Sequence, residues 1–335
     1  MRQLNGWREL EIHFVSGPRI AYIPMRMKNF TRLLFLGAAF LWFLLVIPVW
    51  AGPESQFVAR EQTKTATELE KPAIDLFSFR SSYVFESDLD NDGTFGKQDV
   101  WQNQFEYSHR FLLTGNLYLR AGLAYERFDF GKTDAPVPDH LQSLAGVVGL
   151  DYMHGDDVGA FIQFRPGFYT ENDFDSASFD VPTTLGRVFV LREDQLYFFL
   201  GVRAAFLSGR YPVIPLAGLI YRPNSQWAFD IVVPEPRIIY SPTKSFSVFV
   251  GGELVGGSFR TDHDSNILPR KLDGAQIDYT DYRAGAGVIF SPCKAVMIDI
   301  AAGYSIERSI DFDRAGEEFK TDPAPYFRIA LKAEF

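Results

Sequence analysis

Residues 327–335 read FRIALKAEF, and the first, third, fifth, seventh and ninth side chains of this stretch are all apolar. The positions between them carry Arg328, Ala330, Lys332 and Glu334. Because successive side chains of a β-strand point to opposite faces, this alternation predicts a strand with one apolar face and one charged face. The polar face is too rich in charge for the packed interface of a soluble sandwich, so the apolar face is expected to point into lipid.

The same alternation recurs along the chain from Ala73 to its end, with no convincing helical periodicity. Alternate connections are short and turn-like, whereas the others include the long stretches 87–98, 131–138, 171–179, 258–275 and 308–322. The alternating segments are 73–86, 99–113, 116–130, 139–153, 157–170, 180–192, 195–208, 212–222, 226–233, 236–242, 245–257, 276–291, 294–307 and 323–335.

These segments predict an all-β fold, a closed antiparallel transmembrane β-barrel of the bacterial outer membrane. An open sheet edge in lipid would leave backbone groups without hydrogen bonds, so the sheet must close. Outer-membrane barrels also have short periplasmic turns and longer outer loops. Fourteen strands are expected. Twelve would result if 226–242, which contains Pro234 and Pro236, forms one bent strand or a loop.

Composition supports this class and excludes others. The chain has 335 residues, of which 16% are aromatic, and a net charge of −9, which argues against a nucleic-acid partner. The single cysteine, Cys293, excludes an internal disulfide and a cysteine-based zinc site.

The N-terminal part reads as a targeting region. Residues 25–51 combine a basic start, an apolar run and a small residue at Ala51, which predicts a cleaved signal peptide; the alternative is an uncleaved inner-membrane anchor. A signal peptide is expected at the start of a chain. Residues 1–24, which precede it here, are therefore interpreted as an upstream translation artefact. Residues 52–72 are expected to form a periplasmic linker or plug, and 73–335 the barrel.

The stretch LIYRP at 219–223, followed by Trp227, VPEP at 233–236, Ile238 and Tyr240, resembles an uncharacterised family of bacterial outer-membrane proteins, known mainly as a domain of unknown function. The resemblance covers most of the chain from about Ala73. It implies an outer-membrane barrel in a Gram-negative-type bacterium and transfers no catalytic residue.

One acidic stretch has the spacing of a metal-binding loop. Asp88, Asp90, Asp92, Thr94 and Asp99 occupy positions 1, 3, 5, 7 and 12 of a twelve-residue run with glycine at position 6. This resembles the EF-hand calcium loop, in which such spacing wraps oxygen ligands around Ca²⁺. The flanks are strands here, and an aspartate replaces the usual glutamate at position 12. A weak calcium site and an ordinary solvated turn are the two interpretations; no other cofactor is expected.

The polar faces of the segments predict charges that point into the lumen. In an open channel they would shape an ion field, and in a closed barrel they would pair across the interior. The predicted lumen charges are Glu106, Arg110, Arg120, Glu126, Arg165, Arg203, Asp230, Glu253, Asp281, Arg283, Asp299, Arg328, Lys332 and Glu334.

The ends of the barrel suggest partners. The outer connections are acidic, and divalent cations could bridge them to the anionic groups of lipopolysaccharide; solubility is the simpler explanation. Phe335 resembles the C-terminal aromatic signal read by the barrel assembly machinery. The acidic residues in question are Glu171, Asp173, Asp175, Asp180, Asp262, Asp264, Asp311, Asp313, Glu317 and Glu318.

Catalysis is not expected. The chain has five histidines and none of the nucleophile, metalloprotease or phosphate-binding motifs. His140 and Ser143 are spaced so that, on a strand, they point to opposite faces. The leading hypothesis is a porin-like passive channel for small solutes. The alternatives are a structural or surface-interaction barrel with acidic, calcium-loaded loops, and a plugged transporter of a hydrophobic solute. The sequence does not fix the oligomeric state.

Overall fold

The computed structural model describes residues 73–335 except 92, 155–156, 210 and 265–266. The expectations for residues 1–72, namely the artefact, the signal peptide and the linker or plug, lie outside the described residues. The described part forms one sheet of seventeen strand segments, which make up fourteen barrel strands. The strands are β1 (Asp75–Asp90), β2 (Thr94–Thr114), β3 (Leu117–Phe130), β4 (His140–His154), β5 (Asp157–Phe164 and Gly167–Thr170), β6 (Phe179–Asp180 and Thr183–Arg192), β7 (Leu196–Ala204), β8 (Val213–Tyr221), β9 (Trp227–Val232), β10 (Arg237–Tyr240), β11 (Phe246–Arg260), β12 (Gln276–Cys293), β13 (Val296–Phe312) and β14 (Glu317–Thr321 and Ala324–Glu334).

Three strands are interrupted at a proline. The breaks fall at Pro166 in β5, Pro182 in β6 and Pro323 in β14. Proline has no N–H to donate to the ladder, so the hydrogen-bonded pairing is interrupted there. Each strand resumes after the break beside the same neighbouring strand.

The sheet closes on itself. Each strand pairs antiparallel with the next, and β1 pairs with β14 from Leu76↔Glu334 to Val84↔Tyr326. Beyond that register, the carbonyl of Phe335 accepts hydrogen bonds from the N–H groups of Ile74 and Asp75, at 2.6 and 3.0 Å. The closed antiparallel fold is therefore confirmed.

The strand count of fourteen is also confirmed, and the alternative of twelve is wrong. The stretch 226–242 contains two separate strands, because β9 and β10 pair with each other from Trp227↔Tyr240 to Asp230↔Arg237. The residues between them, 233–236, form a tight turn.

The outer face of the wall is apolar. Large side chains such as Leu123, Val250 and Tyr304 are 60%, 54% and 59% exposed, whereas Arg328 on the inner face is 1% exposed. A closed wall with this outward face matches the hydrocarbon of a bilayer, and the protein is an outer-membrane barrel. Among the described residues, no helix is long and apolar enough to cross a membrane. We call the end with the shorter connections, such as 115–116 and 294–295, the periplasmic end, and the opposite end the outer end.

Two of the predicted long outer loops are mostly strand. Residues 87–98 and 308–322 continue as hairpins, with β1 reaching Asp90 and β13 reaching Phe312. The reason is apolar burial, because these extensions enclose a hydrophobic cluster that fills the outer end of the barrel. This outer apolar cluster consists of Val84, Leu89, Val100, Phe128, Phe130, Leu141, Val255, Phe259, Leu272, Ile277, Tyr279, Ile310, Phe312, Phe319, Ala324 and Tyr326.

A bulge in β13 reverses the alternation of faces near the outer end of this strand. Without the bulge, alternation along 294–307 would place Glu307 on the inner face. Pairing with β12 jumps from Tyr282↔Glu307 to Arg283↔Ser305, so Ile306 is an extra residue and the faces exchange beyond it. As a result, Arg308 is buried at 1% exposure, and the Glu307 side chain is 45% exposed.

Candidate functional site in the lumen

The charged residues assigned to the lumen lie inside the wall. Arg203 is half-buried, and Glu334, which ends β14 at the periplasmic rim, is also half-buried. The others are buried: Glu106, Arg110, Arg120, Glu126, Arg165, Asp230, Glu253, Asp281, Arg283, Asp299, Arg328 and Lys332. In an open aqueous pore such side chains would be exposed, so burial here means that opposite sides of the barrel meet.

Three of these residues and three other buried ones form one network, which we call the central network: Arg80, Glu235, Arg237, Glu253, Asp299 and Arg328. Arg328 donates hydrogen bonds to Glu253 at 2.9 Å, to Asp299 at 2.7 Å and to Glu235 at 3.3 Å. Arg237 donates to Asp299 at 2.7 Å and to Glu235 at 3.0 Å. Arg80 donates to Glu235 at 2.5 Å and also to Glu253. Three arginines therefore balance three carboxylates, which is the arrangement that offsets the desolvation of buried charge.

Glu235 enters this network from a turn and not from a strand. It lies between Pro234 and Pro236, in the connection from β9 to β10, and is 8% exposed. The turn is also held by β11, because the N–H groups of Leu254 and Gly252 donate to the carbonyls of Pro234 and Pro236, both at 2.9 Å. The turn thus lies in the wall beside β11, and the Glu235 carboxylate points inward, where it meets all three arginines of the central network.

A second cluster lies nearer the periplasmic end. Arg110 and Arg120 are directly opposite each other in the β2–β3 ladder, and like charges in this position repel. Asp151 of β4 bridges them and offsets their repulsion, since one of its oxygens accepts from Arg110 at 2.8 Å and from Arg120 at 2.9 and 2.7 Å. Asp151 is 2% exposed, so this bridge is fully internal.

Aromatic contacts place the central network between apolar layers. The guanidinium of Arg237 lies 4.3 Å from the ring centre of Phe249, which belongs to a small apolar cluster with Ile239, Ile289 and Ala301. Arg283, which donates to Asp281 at 2.7 Å, lies 5.3 Å from the ring of Tyr326 in the outer apolar cluster. Polar and apolar side chains together fill the barrel in this region.

A cavity of about 50 Å³ lies beside these clusters, on the side of the lumen formed by β2 to β8 and β11. The polar side chains that line it include Gln104, Glu126, Ser143, Arg165, Asp180 and Arg203, and the aromatic ones include Tyr169, Tyr211 and Phe259.

Asp180 corrects the prediction of a uniformly acidic outer rim. Assigned by sequence to the outer acidic residues, it is 3% exposed and faces the cavity. Its carboxylate accepts hydrogen bonds from the N–H groups of Val181, Phe206 and Leu207 at 2.7, 3.1 and 3.0 Å. Asp180 therefore holds the connection after β7 in place.

Two acidic residues join the loops at the outer mouth. Glu171 accepts from the N–H of Asp262 at 3.1 Å, and Asp262 accepts from the N–H groups of Asn172 and Asp173 at 3.0 and 2.8 Å. Burial raises the pKa of Glu171 above its ordinary value. The connections after β5 and β11 are thereby fastened to each other across the mouth.

The calcium interpretation stays a prediction. The hairpin of β1 and β2 pairs Asp88 with Lys97 and Asp90 with Thr94, and Asp99 accepts a hydrogen bond from Tyr83 at 2.6 Å. Asp92 lies outside the described residues. In the described part of the chain, no group of three or more acidic, histidine or cysteine side chains is placed to hold a metal ion.

Sequence reasoning missed four members of these clusters: Arg80, Asp151, Glu235 and Arg237. Alternation within β1 and β4 could have found Arg80 and Asp151, because both occupy inward positions of segments already assigned as strands. Glu235 offered no such signal, since a turn between two prolines has no periodicity.

Comparison with known proteins gives a likeness of fold. No protein-family model and no curated protein matches the chain. Among solved structures, an outer membrane channel from Pseudomonas putida F1 is 10% identical with a TM-score of 0.42, over 81% of this chain and 99% of that one. The Pseudomonas putida toluene transporter TodX is 12% identical with a TM-score of 0.38, over 83% and 93%. The translocator domain of autotransporter NalP from Neisseria meningitidis is 8% identical with a TM-score of 0.35, over 84% and 95%.

Similarity this low is shared by barrels with different roles, so it assigns none of those activities to this chain. The resemblance noted at 219–240 is supported only as far as the outer-membrane barrel fold described above, since no family model matches.

Proposed function

We propose that the protein is an outer-membrane channel for small solutes whose lumen is closed at rest by the central network. The observation that carries the proposal is Glu235. This residue extends from the turn at 233–236 into the lumen and pairs with Arg80, Arg237 and Arg328. The closure therefore depends on side-chain ion pairs, which can rearrange without breaking the wall.

The cavity supports passage more than a purely structural role. A purely structural barrel needs no internal space, whereas this one keeps a cavity of about 50 Å³ beside the network. Like pockets that bind small molecules, this cavity combines apolar walls with a few polar groups. We infer narrow, selective passage, in contrast to the wide lumen of a general porin.

Two other functions remain alternatives. The close packing of the lumen favours a structural or surface-interaction barrel, which would conduct nothing. A plugged transporter of a hydrophobic solute would place the plug in residues 52–72, which lie outside the described residues. Catalysis forms no part of the proposal.

Single-channel recording of residues 52–335 in planar bilayers tests the proposal. We expect brief, small current steps, with the barrel closed for most of the record, because opening requires rupture of buried ion pairs. Sustained silence at all voltages would contradict a channel and favour the structural barrel. Current that appears only after deletion of 52–72 would favour the plugged transporter.

A further inference from the structure

The charged side chains that line the cavity already have hydrogen-bond partners, with one exception. Arg165 donates to Glu106 at 2.6 Å, and Glu126 accepts from Gln102 at 3.1 Å. Asp180 is occupied by the three backbone N–H groups described above. Arg203 makes no hydrogen bond or ion pair with any residue that the structure describes. Its only electrostatic partner there is Glu126, which it attracts at longer range.

Arg203 is positioned by the wall to face the cavity. It lies near the outer end of β7, opposite Thr184 of β6 and Ile214 of β8, and it lines the cavity together with Ile214. A half-buried guanidinium without a hydrogen-bonded counter-ion is costly in a medium less polar than water. A ligand that brings a negative charge would remove that cost.

The rest of the lining indicates the form of such a ligand. Tyr169, Tyr211, Phe259 and Ile214 present apolar surface around the same space. The hydroxyl of Tyr169 already donates to the carbonyl of Arg165 at 3.0 Å, so its ring is what remains for contact. A planar guanidinium fork matches a carboxylate through two parallel hydrogen bonds, a match that a neutral amide of the same shape cannot reproduce.

We propose that this cavity is a binding site for small monocarboxylic acids with an apolar or aromatic body, and that Arg203 holds the carboxylate. The body packs against Phe259, Ile214 and the tyrosine rings. This inference rests on the proposed channel function, for which it names the class of solute, but binding itself is measured without passage.

Isothermal titration of the detergent-folded barrel with benzoate, and in parallel with the neutral isostere benzamide, tests the site. We expect saturable binding of benzoate and binding of benzamide weaker by about tenfold or more, because charge-assisted bonds to the fork are lost. Arg203→Gln should weaken benzoate binding to the benzamide level. Arg203→Lys keeps the charge but not the fork and should fall between the two.

The matched control is Arg192→Gln. Arg192 is an exposed arginine at the other end of the same hairpin, where it donates to Gln195 at 3.1 Å, and its replacement should leave benzoate binding unchanged. Equal affinity for benzoate and benzamide, or no binding of benzoate to the unmodified protein, overturns the inference whether or not the variants fold. Binding that depends on Arg203 in a barrel that never conducts would overturn the channel and leave the site intact. Conduction without such binding would overturn the site alone.

Discussion

Replacement of Glu235 by glutamine is expected to raise the open probability of the channel by about tenfold or more. The carboxylate of Glu235 pairs with Arg80, Arg237 and Arg328, and breaking a buried ion pair costs about 3–5 kcal/mol. Each 1.4 kcal/mol is a factor of about ten in an equilibrium constant, so even part of this loss favours the open state strongly. The measurement is single-channel recording of the variant beside the unmodified protein.

The same substitution should change ion selectivity. With Glu235 neutral, three arginines face only two carboxylates in the central network, so the open lumen gains positive charge and should favour anions. The control is Glu193→Gln, which removes the same charge from an exposed periplasmic turn. Unchanged opening in Glu235→Gln, or an equal rise in Glu193→Gln, would show that the ion pairs of Glu235 do not close the lumen.

Asp151→Asn is expected to destabilise the barrel by about 3–5 kcal/mol, since it removes a buried carboxylate that bonds to both Arg110 and Arg120. The two arginines would then repel each other directly across the β2–β3 ladder. The measurement is the temperature and urea concentration at which the folded, fast-migrating band is lost on denaturing gels.

The double variant Asp151→Asn with Arg120→Gln should recover much of the loss, because it leaves one internal arginine in place of two. The matched control is Asp129→Asn. Asp129 pairs with Arg127 at 2.7 Å, but the two side chains are 44% and 33% exposed, and such surface pairs contribute at most about 1 kcal/mol. Equal losses in Asp151→Asn and Asp129→Asn would contradict the internal bridge.

The wall of the barrel could be predicted from the sequence because alternation is a local signal. The register of Arg328 among Phe327, Ile329 and Leu331 is visible in the printed chain, and so are the short strands on either side of Pro234 and Pro236. Where the wall is irregular the signal fails: the extra residue at Ile306 reverses the faces and cannot be located by counting alternate positions.

The contents of the lumen could not be predicted in the same way. Alternation states which face a side chain occupies but not what it meets across the barrel. Arg80 and Glu253 are 173 residues apart in sequence, and Arg80 and Glu235 are 155 apart. Whether the predicted charges pair or line open water therefore depends on the shape of the closed barrel, and the sequence left both outcomes open.

The hairpins at the outer end of the barrel could not be predicted from the sequence either. Residues 87–98 and 308–322 are rich in the polar residues of loops, yet they form hairpins whose inner faces contribute Leu89, Ile310, Phe312 and Phe319 to the outer apolar cluster. These apolar residues are too sparse to mark strands by themselves. They become a core only when the hairpins are brought together at the closing seam between β1 and β14.

The most direct test of the central claim is to lock the turn at 233–236, which carries Glu235, in place. A Cβ at Gly252 would lie 3.6 Å from the Cγ of Pro236, and the N–H of Gly252 already donates to the carbonyl of Pro236 at 2.9 Å, so cysteines at 252 and 236 are close enough for a disulfide. With Cys293→Ser as background, single-channel current is recorded before and after reduction. The account predicts a silent oxidised barrel that begins to open on reduction, with single-cysteine variants indifferent to the reductant. Equal current in the oxidised and reduced states would contradict it.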